Sequence, residues 1–305
     1  MQRLPPNWDA ERLRNTLPYL FIVPAILVLL LVEGYPIAYS IYLSVTEFNP
    51  NTPEPIYIGA ANYLKMITDV SFWTSVRVTL LYVFGTVTLS FLLGLTFAML
   101  IFRDKGFRHL QTILILPVAV SPLVAGIFFA PPAIWDDLNV VLKYDLGLPM
   151  VNVFDPNLAF TFIVVSDAWL WTPLFMLVIL SVLQTIPKGI FEAADLHGAS
   201  PWQSFRRVTL PMLMRSPVIY IVIAIRSIDA FRSFEIPFTW AGWIGQENIG
   251  TPIDTLSLMM YKMLSFPVYG SPYSYIATIA LTLLLISLVV TIIILRVGRR
   301  TWEAR

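Results

Sequence analysis

Six stretches of this sequence, residues 18–45, 74–102, 110–130, 159–183, 212–234 and 273–297, are apolar enough and long enough to cross a bilayer. A helix needs about 20 apolar residues to span a hydrocarbon core of about 30 Å. Inside that core the backbone finds no partners outside its own segment, so each stretch is expected to be helical. The expected fold class is therefore all-α: a polytopic membrane protein with six transmembrane helices. Six segments of span length are too many for the buried core of a soluble domain. The first, LPYLFIVPAILVLLLVEGYPIAYSIYLSV, is too long for a cleavable signal peptide and lacks a small-residue cleavage site. Charged residues make up 13% of the chain, about half the usual soluble share.

The same sequence excludes much chemistry. There are no cysteines, so disulfides, thiolate catalysis, Fe–S clusters and cysteine zinc sites are all ruled out. The two histidines, His109 and His197, lie far apart without ligand-like neighbours, so no metal site is expected. A net charge of +1 gives no electrostatic case for nucleic acid. No catalytic residues are identified, and an integral-membrane enzyme finds no support.

Lys and Arg set the orientation. They cluster at the N-terminus (Arg3, Arg12, Arg14), after the second span (Arg103, Lys105, Arg108), after the fourth (Lys188, Arg206, Arg207, Arg215) and at the C-terminus (Arg296, Arg299, Arg300, Arg305). These regions alternate as one side of a six-span chain should, and both termini are expected in the cytoplasm. Residues 1–17 read as a cytoplasmic segment, 18–297 as the membrane domain and 298–305 as a cytoplasmic tail.

One loop stands apart from the rest. Between the fourth and fifth spans, residues 187–211 include EAADLHGASPWQSFRRVTLP. Pro187 suits a first helical turn and Gly198 a C-cap. Ser200 with Gln203 forms a capping box, with Pro201 at the first helical position. Two short helices are expected, the second stopping at Pro211. Phe191, Leu196, Trp202 and Phe205 then need partners that so small a unit does not supply. An amphipathic loop lying on lipid headgroups meets this description, and so does a docking element with Glu192 as anchor beside the smooth flank of Ala193 and Ala194.

The spacing Glu192, Ala193, Ala194, Gly198, Val208, Leu210, Pro211 resembles the EAA loop of permease subunits of binding-protein-dependent ABC importers. Relatives usually carry Ile in place of Val208 and Asp in place of His197. YIGAANYLKMITDVSFWTSVRVTLLYV (57–83) and WLWTPLFMLVILSVLQTIP (169–187) are similar to sugar-importer permeases, and RSIDAFRSF is most similar to the trehalose or maltose kind. The resemblance implies the type I ABC importer permease fold, with 187–211 as a coupling loop docked into a cytoplasmic ATPase. It implies alternating access, a second permease subunit in a heterodimer, two ATP-binding cassette subunits and an extracytoplasmic sugar-binding protein, in a bacterial or archaeal cytoplasmic membrane. The chain contains no Gly-Lys pair, hence no phosphate-binding G-x-x-x-x-G-K-[ST] loop. No cofactor is expected in it; ATP and Mg belong to the partner ATPase.

Ionisable groups inside a span call for a reason, since each costs about 2.5–3.5 kcal/mol on insertion scales. Arg226, Asp229, Arg232 and Glu235 follow at intervals of three, the last two near the expected outer end of their span. Neighbours three apart can pair, so an alternating ladder along one helix face is expected. Asp167, close to Trp169 and Trp171, is a second buried acid. Arg226, Asp229, Arg232, Asp167 and Trp169 are candidates for lining a sugar pathway, where a Trp face suits a pyranose ring. The ladder equally fits a self-neutralising strut. A further alternative is an ion-coupled secondary transporter with Asp167 or Asp229 as proton carrier. Trp73, Trp135, Tyr57 and Tyr63 are expected as interfacial aromatics, Gly85 and Gly94 as helix-packing positions, and Pro117 and Pro122 as kinks. A short surface helix is expected within 131–158.

Overall fold

The structure, a computed structural model, describes residues 8–48, 54–103, 105–131, 135–244, 248–266 and 273–303. Arg3 and Arg305 lie outside them. α1 (Trp8–Leu29) runs through a π-helical turn at Leu30–Gly34 into α2 (Tyr35–Ser44). A two-residue antiparallel ribbon pairs Thr46 with Tyr57 and Glu47 with Ile56. α3 (Ala61–Thr68) precedes α4 (Val70–Arg103), then come α5 (Arg108–Ile115), α6 (Pro122–Phe129) and α7 (Trp135–Val140). α8 (Pro156–Gln184) leads to three short helices, α9 (Lys188–Leu196), α10 (Pro201–Ser204) and α11 (Leu210–Met214). α12 (Pro217–Arg232), α13 (Glu235–Ile244), α14 (Leu256–Ser265) and α15 (Tyr273–Glu303) complete the chain.

The core is the parallel seam of α4 and α8, where Tyr82, Phe175, Met176 and Ile179 are fully buried. Gly94 makes the seam possible. A Cβ there would sit 2.6 Å from the Phe175 Cβ and 2.8 Å from the Met176 nitrogen. Gly85 meets Val164 on the same seam at a looser 3.2 Å. Small residues at such crossings let backbones approach where lipid provides no hydrophobic drive. α12 flanks the seam and α15 packs on α12, while α6 packs on α13 and α2 along α15. Ahead of α2, residues 19–29 of α1 are exposed.

Four helices are unbroken spans: Tyr19–Ser44, Val70–Arg103, Leu158–Gln184 and Tyr273–Thr301. The third and fifth expected spans are bent pairs, so six crossings result when each pair counts as one. The third is no single helix over 110–130: Val120 and Ser121 are both extended, and the chain turns by 103° between Gln111–Ala119 and Pro122–Phe129. Pro122 accounts for part of it, because a residue before proline is pushed out of the helical region, as Ser121 is, whereas Leu116 before Pro117 stays helical. The fifth span starts later than expected, at Pro217 rather than residue 212, after an extended Ser216 and a 70° bend. It also continues as α13 beyond residue 234, so Arg232 and Glu235 fall inside the crossing, not at its end.

Two interfacial assignments are corrected. Trp135 is buried against Phe162, with ring centroids 4.0 Å apart. Tyr63 is half-buried and its hydroxyl donates to Ser44 Oγ at 3.0 Å. Both sit near span ends, but tertiary packing has claimed them. Trp73 and Tyr57 are exposed as expected. The surface helix within 131–158 is α7, extended by a π-helical turn at Val141–Asp145.

Candidate functional site

The loop that follows α8 is an ordered two-helix unit. Pro187 caps α9, which closes at His197; Gly198 then takes φ +73° and donates its N–H to the Asp195 carbonyl at 2.9 Å. Ala199 donates to the Ala194 carbonyl at 3.0 Å, completing the glycine-type helix stop. The capping box forms in both directions, with Ser200 N–H donating to Gln203 Oε1 at 2.8 Å and Gln203 N–H to Ser200 Oγ at 3.3 Å. One expectation fails: helix does not stop at Pro211. α10 passes through a π-helical turn, Phe205–Thr209, into α11, which ends at Met214. Proline is accommodated because it stands in the first turn after that irregular segment, where its missing N–H costs little.

The four aromatic and aliphatic residues of this unit divide into two pairs. Phe191 packs on Phe102 of α4, ring centroids 5.5 Å apart, and Phe205 is half-buried in the core's margin. Leu196 and Trp202 are left 89% and 65% exposed. Glu192 and Ala193 are exposed and Ala194 half-buried, so Glu192–Gly198 forms a protruding tip. Leu210 and Pro211 belong to the helix returning to the membrane and take no part in the tip. Behind it, an open cleft of about 470 Å³ is lined by Phe102, Arg103, Lys188, Glu192 and Asp195 among others.

The intramembrane charges gather on α8 and α12. Arg226 has a side chain with no exposure; its Nη2 donates to Asp167 Oδ2, and its Nη1 to Asp229 Oδ2 at 2.9 Å. Trp171 lies against the guanidinium, 4.8 Å from Cζ to the ring centroid. Behind Asp167 stands the buried Tyr82, whose hydroxyl bonds Ser233 Oγ at 2.8 Å, at the break between α12 and α13. The ladder therefore forms only its first rung. Arg232 and Glu235 are exposed and in no ion pair among the described residues. Geometry explains it: three residues advance about 300° around a helix, so each step rotates the face by about 60° and three steps reach the opposite side. The Asp229 side chain is 39% exposed, while Arg226 and Asp167 are buried.

Trp169 does not join this cluster; it packs on Phe129 and Phe128, at 5.4 and 6.4 Å between centroids. Trp171 is the residue that sequence reasoning missed. Its signal was present, because a residue four positions after Asp167 shares that helix face while one two positions after does not. A second buried ion pair was also unforeseen: Lys262 Nζ to Asp254 Oδ1 at 2.7 Å, with Nζ also donating to the Asn248 carbonyl. It ties the segment before α14 to that helix.

An all-helical membrane chain with two bent spans, a buried charge cluster and a structured loop after its fourth crossing defines the permease class of transport proteins. The chain belongs to the family described as binding-protein-dependent transport system inner membrane component, which matches residues 90–303. The resemblance to ABC importer permeases is thus borne out. Among relatives, the trehalose/maltose transport system permease protein MalF of Thermococcus litoralis is 32% identical over 93% of this chain and 94% of its own. The trehalose transport system permease protein SugA of Mycobacterium tuberculosis is 31% identical over 77% of this chain and 75% of its own. In fold, the chain is similar to a bacterial ABC transporter that imports alginate, with a TM-score of 0.74 at 20% identity over 96% of this chain and 99% of that one.

Proposed function

We propose that this chain is one membrane subunit of an ATP-driven sugar importer that carries a disaccharide of the trehalose or maltose type. The observation that carries the reading is the tip at Glu192–Gly198. It is closed by the Gly198 turn, followed by the capped start of α10, and leaves Leu196 bare with Trp202 beside it on α10. A rigid apolar point beside a carboxylate is what a cytoplasmic ATPase needs in order to grip and move a membrane partner. The Lys and Arg distribution supports a cytoplasmic tip and cytoplasmic termini. Sugar as cargo is supported by the named functions of the relatives above. The assembly would comprise this subunit, a second permease, two ATPase subunits and an extracytoplasmic sugar-binding protein. ATP and Mg would be held by the ATPase.

The ion-coupled alternative is less well supported. It gives the ordered, protruding unit at Glu192–Gly198 no task, and Asp167 is already engaged by Arg226.

The test is to purify the tagged chain with its co-expressed partners and measure ATPase activity with and without sugar-loaded binding protein. Stimulation is expected in the wild type and its loss in Glu192→Lys, with assembly in the membrane retained. A wild-type complex without an ATPase, or a Glu192→Lys complex stimulated as usual, would remove the coupling role.

A further inference from the structure

Arg77 stands on the exposed side of α4. Spacings of three and four place it on one helix face with Trp73, Leu80, Leu81 and Phe84, all of them exposed. An apolar face of this kind on a membrane-crossing helix matches lipid tails. Among the described residues the Arg77 side chain makes no ion pair and no hydrogen bond. A cation in a span calls for a partner.

Its depth identifies the partner within reach. The midpoint of α4, Val70–Arg103, falls between Thr86 and Val87. Arg77 lies about 14 Å from that midpoint, toward the Val70 end. The hydrocarbon core is about 30 Å thick, and headgroups bring the bilayer to about 40–45 Å. Arg77 is therefore at the edge of the core, and a long basic side chain there extends its head into the headgroup layer.

The surroundings form a pocket. Thr74, Arg77, Leu81, Phe160 of α8, Gly250 and Pro252 help to line a space of about 290 Å³. The strap at 250–252 is held in place over α4. Gly250 takes φ +82°, where a Cβ would sit 3.2 Å from Ser71 Oγ, and the Thr251 N–H donates to Asp254 Oδ2 at 3.0 Å. The Thr251 hydroxyl is buried with no hydrogen-bond partner among the described residues, so an unused donor stands beside the pocket. No carboxylate lines it among the described residues. A guanidinium forks onto a phosphate through two hydrogen bonds. Hydroxyls suit a hydroxylated headgroup, whereas the ammonium of a zwitterionic one finds no acid.

We propose that this pocket binds one phospholipid with a net-anionic, hydroxylated headgroup of the phosphatidylglycerol type. Arg77 holds the phosphodiester, and the acyl chains run along the apolar face past Leu81 and Phe84. A lipid so held neutralises Arg77 and fills the gap between α4 and α8 at that end of their seam. The site needs neither a particular cargo nor a particular orientation of the chain.

Native mass spectrometry of the complete co-expressed assembly tests it, after equilibration in micelles with equal amounts of dioleoylphosphatidylglycerol and dioleoylphosphatidylcholine. The wild type should retain phosphatidylglycerol in preference. Arg77 is exposed and bonds nothing in the fold, so Arg77→Gln should assemble as usual yet lower that retention roughly tenfold, the loss of one charge-assisted contact. Lys143→Gln, which removes an exposed cation elsewhere, should leave retention unchanged. Inorganic phosphate in excess should not displace the lipid. Equal retention of the two lipids, unchanged retention in Arg77→Gln, or equal loss in both variants would overturn the proposal. Displacement by inorganic phosphate would overturn it as well, in favour of a site for a free anion.

Discussion

Arg226 shows how one residue can decide the character of a membrane helix. Its guanidinium divides between Asp167, fully buried, and Asp229, partly open, with Trp171 covering its face. Replacing Arg226 by Leu would strand Asp167 in the core, and breaking one side of a buried pair costs about 3–5 kcal/mol. We expect Arg226→Leu to lower the unfolding midpoint of the purified chain steeply. The double change Asp167→Asn with Arg226→Leu should recover much of that loss, which a thermal melt in detergent would read directly. That these residues mattered was legible from charge inside an apolar run. Which Trp would join them was a matter of helical phase, and the reach of the ladder was overestimated by ignoring the rotation at each step.

At the scale of elements, local chemistry was the most legible part. Ser200, Gln203, Gly198 and Pro187 act as caps and stops because the forces involved reach only a few residues. The bends were legible in kind but not in size: Pro117 and Pro122 announce a break, whereas 103° depends on Val120 and Ser121 both becoming extended. The fate of Trp135 lay outside local reading altogether, since its partner Phe162 comes from another helix. Packing of α4 on α8 rests on Gly94 in the same non-local way. Gly94→Leu should force the two helices apart, and overpacking of this kind costs about 1–3 kcal/mol. A lower melting temperature and lower yield of folded protein are expected, with Gly85→Ala milder because Val164 can shift.

For the whole molecule, the central fact is that α8 belongs to both candidate regions. It carries Asp167 along its length and ends at Gln184, three residues before the cap of α9. Pro173 stands between them, inside the helix, where it removes a backbone hydrogen bond and weakens the rod. Pro173→Ala should restore that bond, raise the melting temperature and slow sugar uptake per ATP hydrolysed in reconstituted vesicles; unchanged uptake would show that the rod does not need to bend. In mechanical terms, α8 is a lever with a soft joint. Pivoting at Pro173, the arm to Lys188 is about 22 Å and the arm to Asp167 about 9 Å, so a swing of about 5° moves the first by about 2 Å relative to the line of the second. A few degrees of yield at one proline are thus enough to turn a small thrust at the protruding tip into the re-aiming of a buried carboxylate.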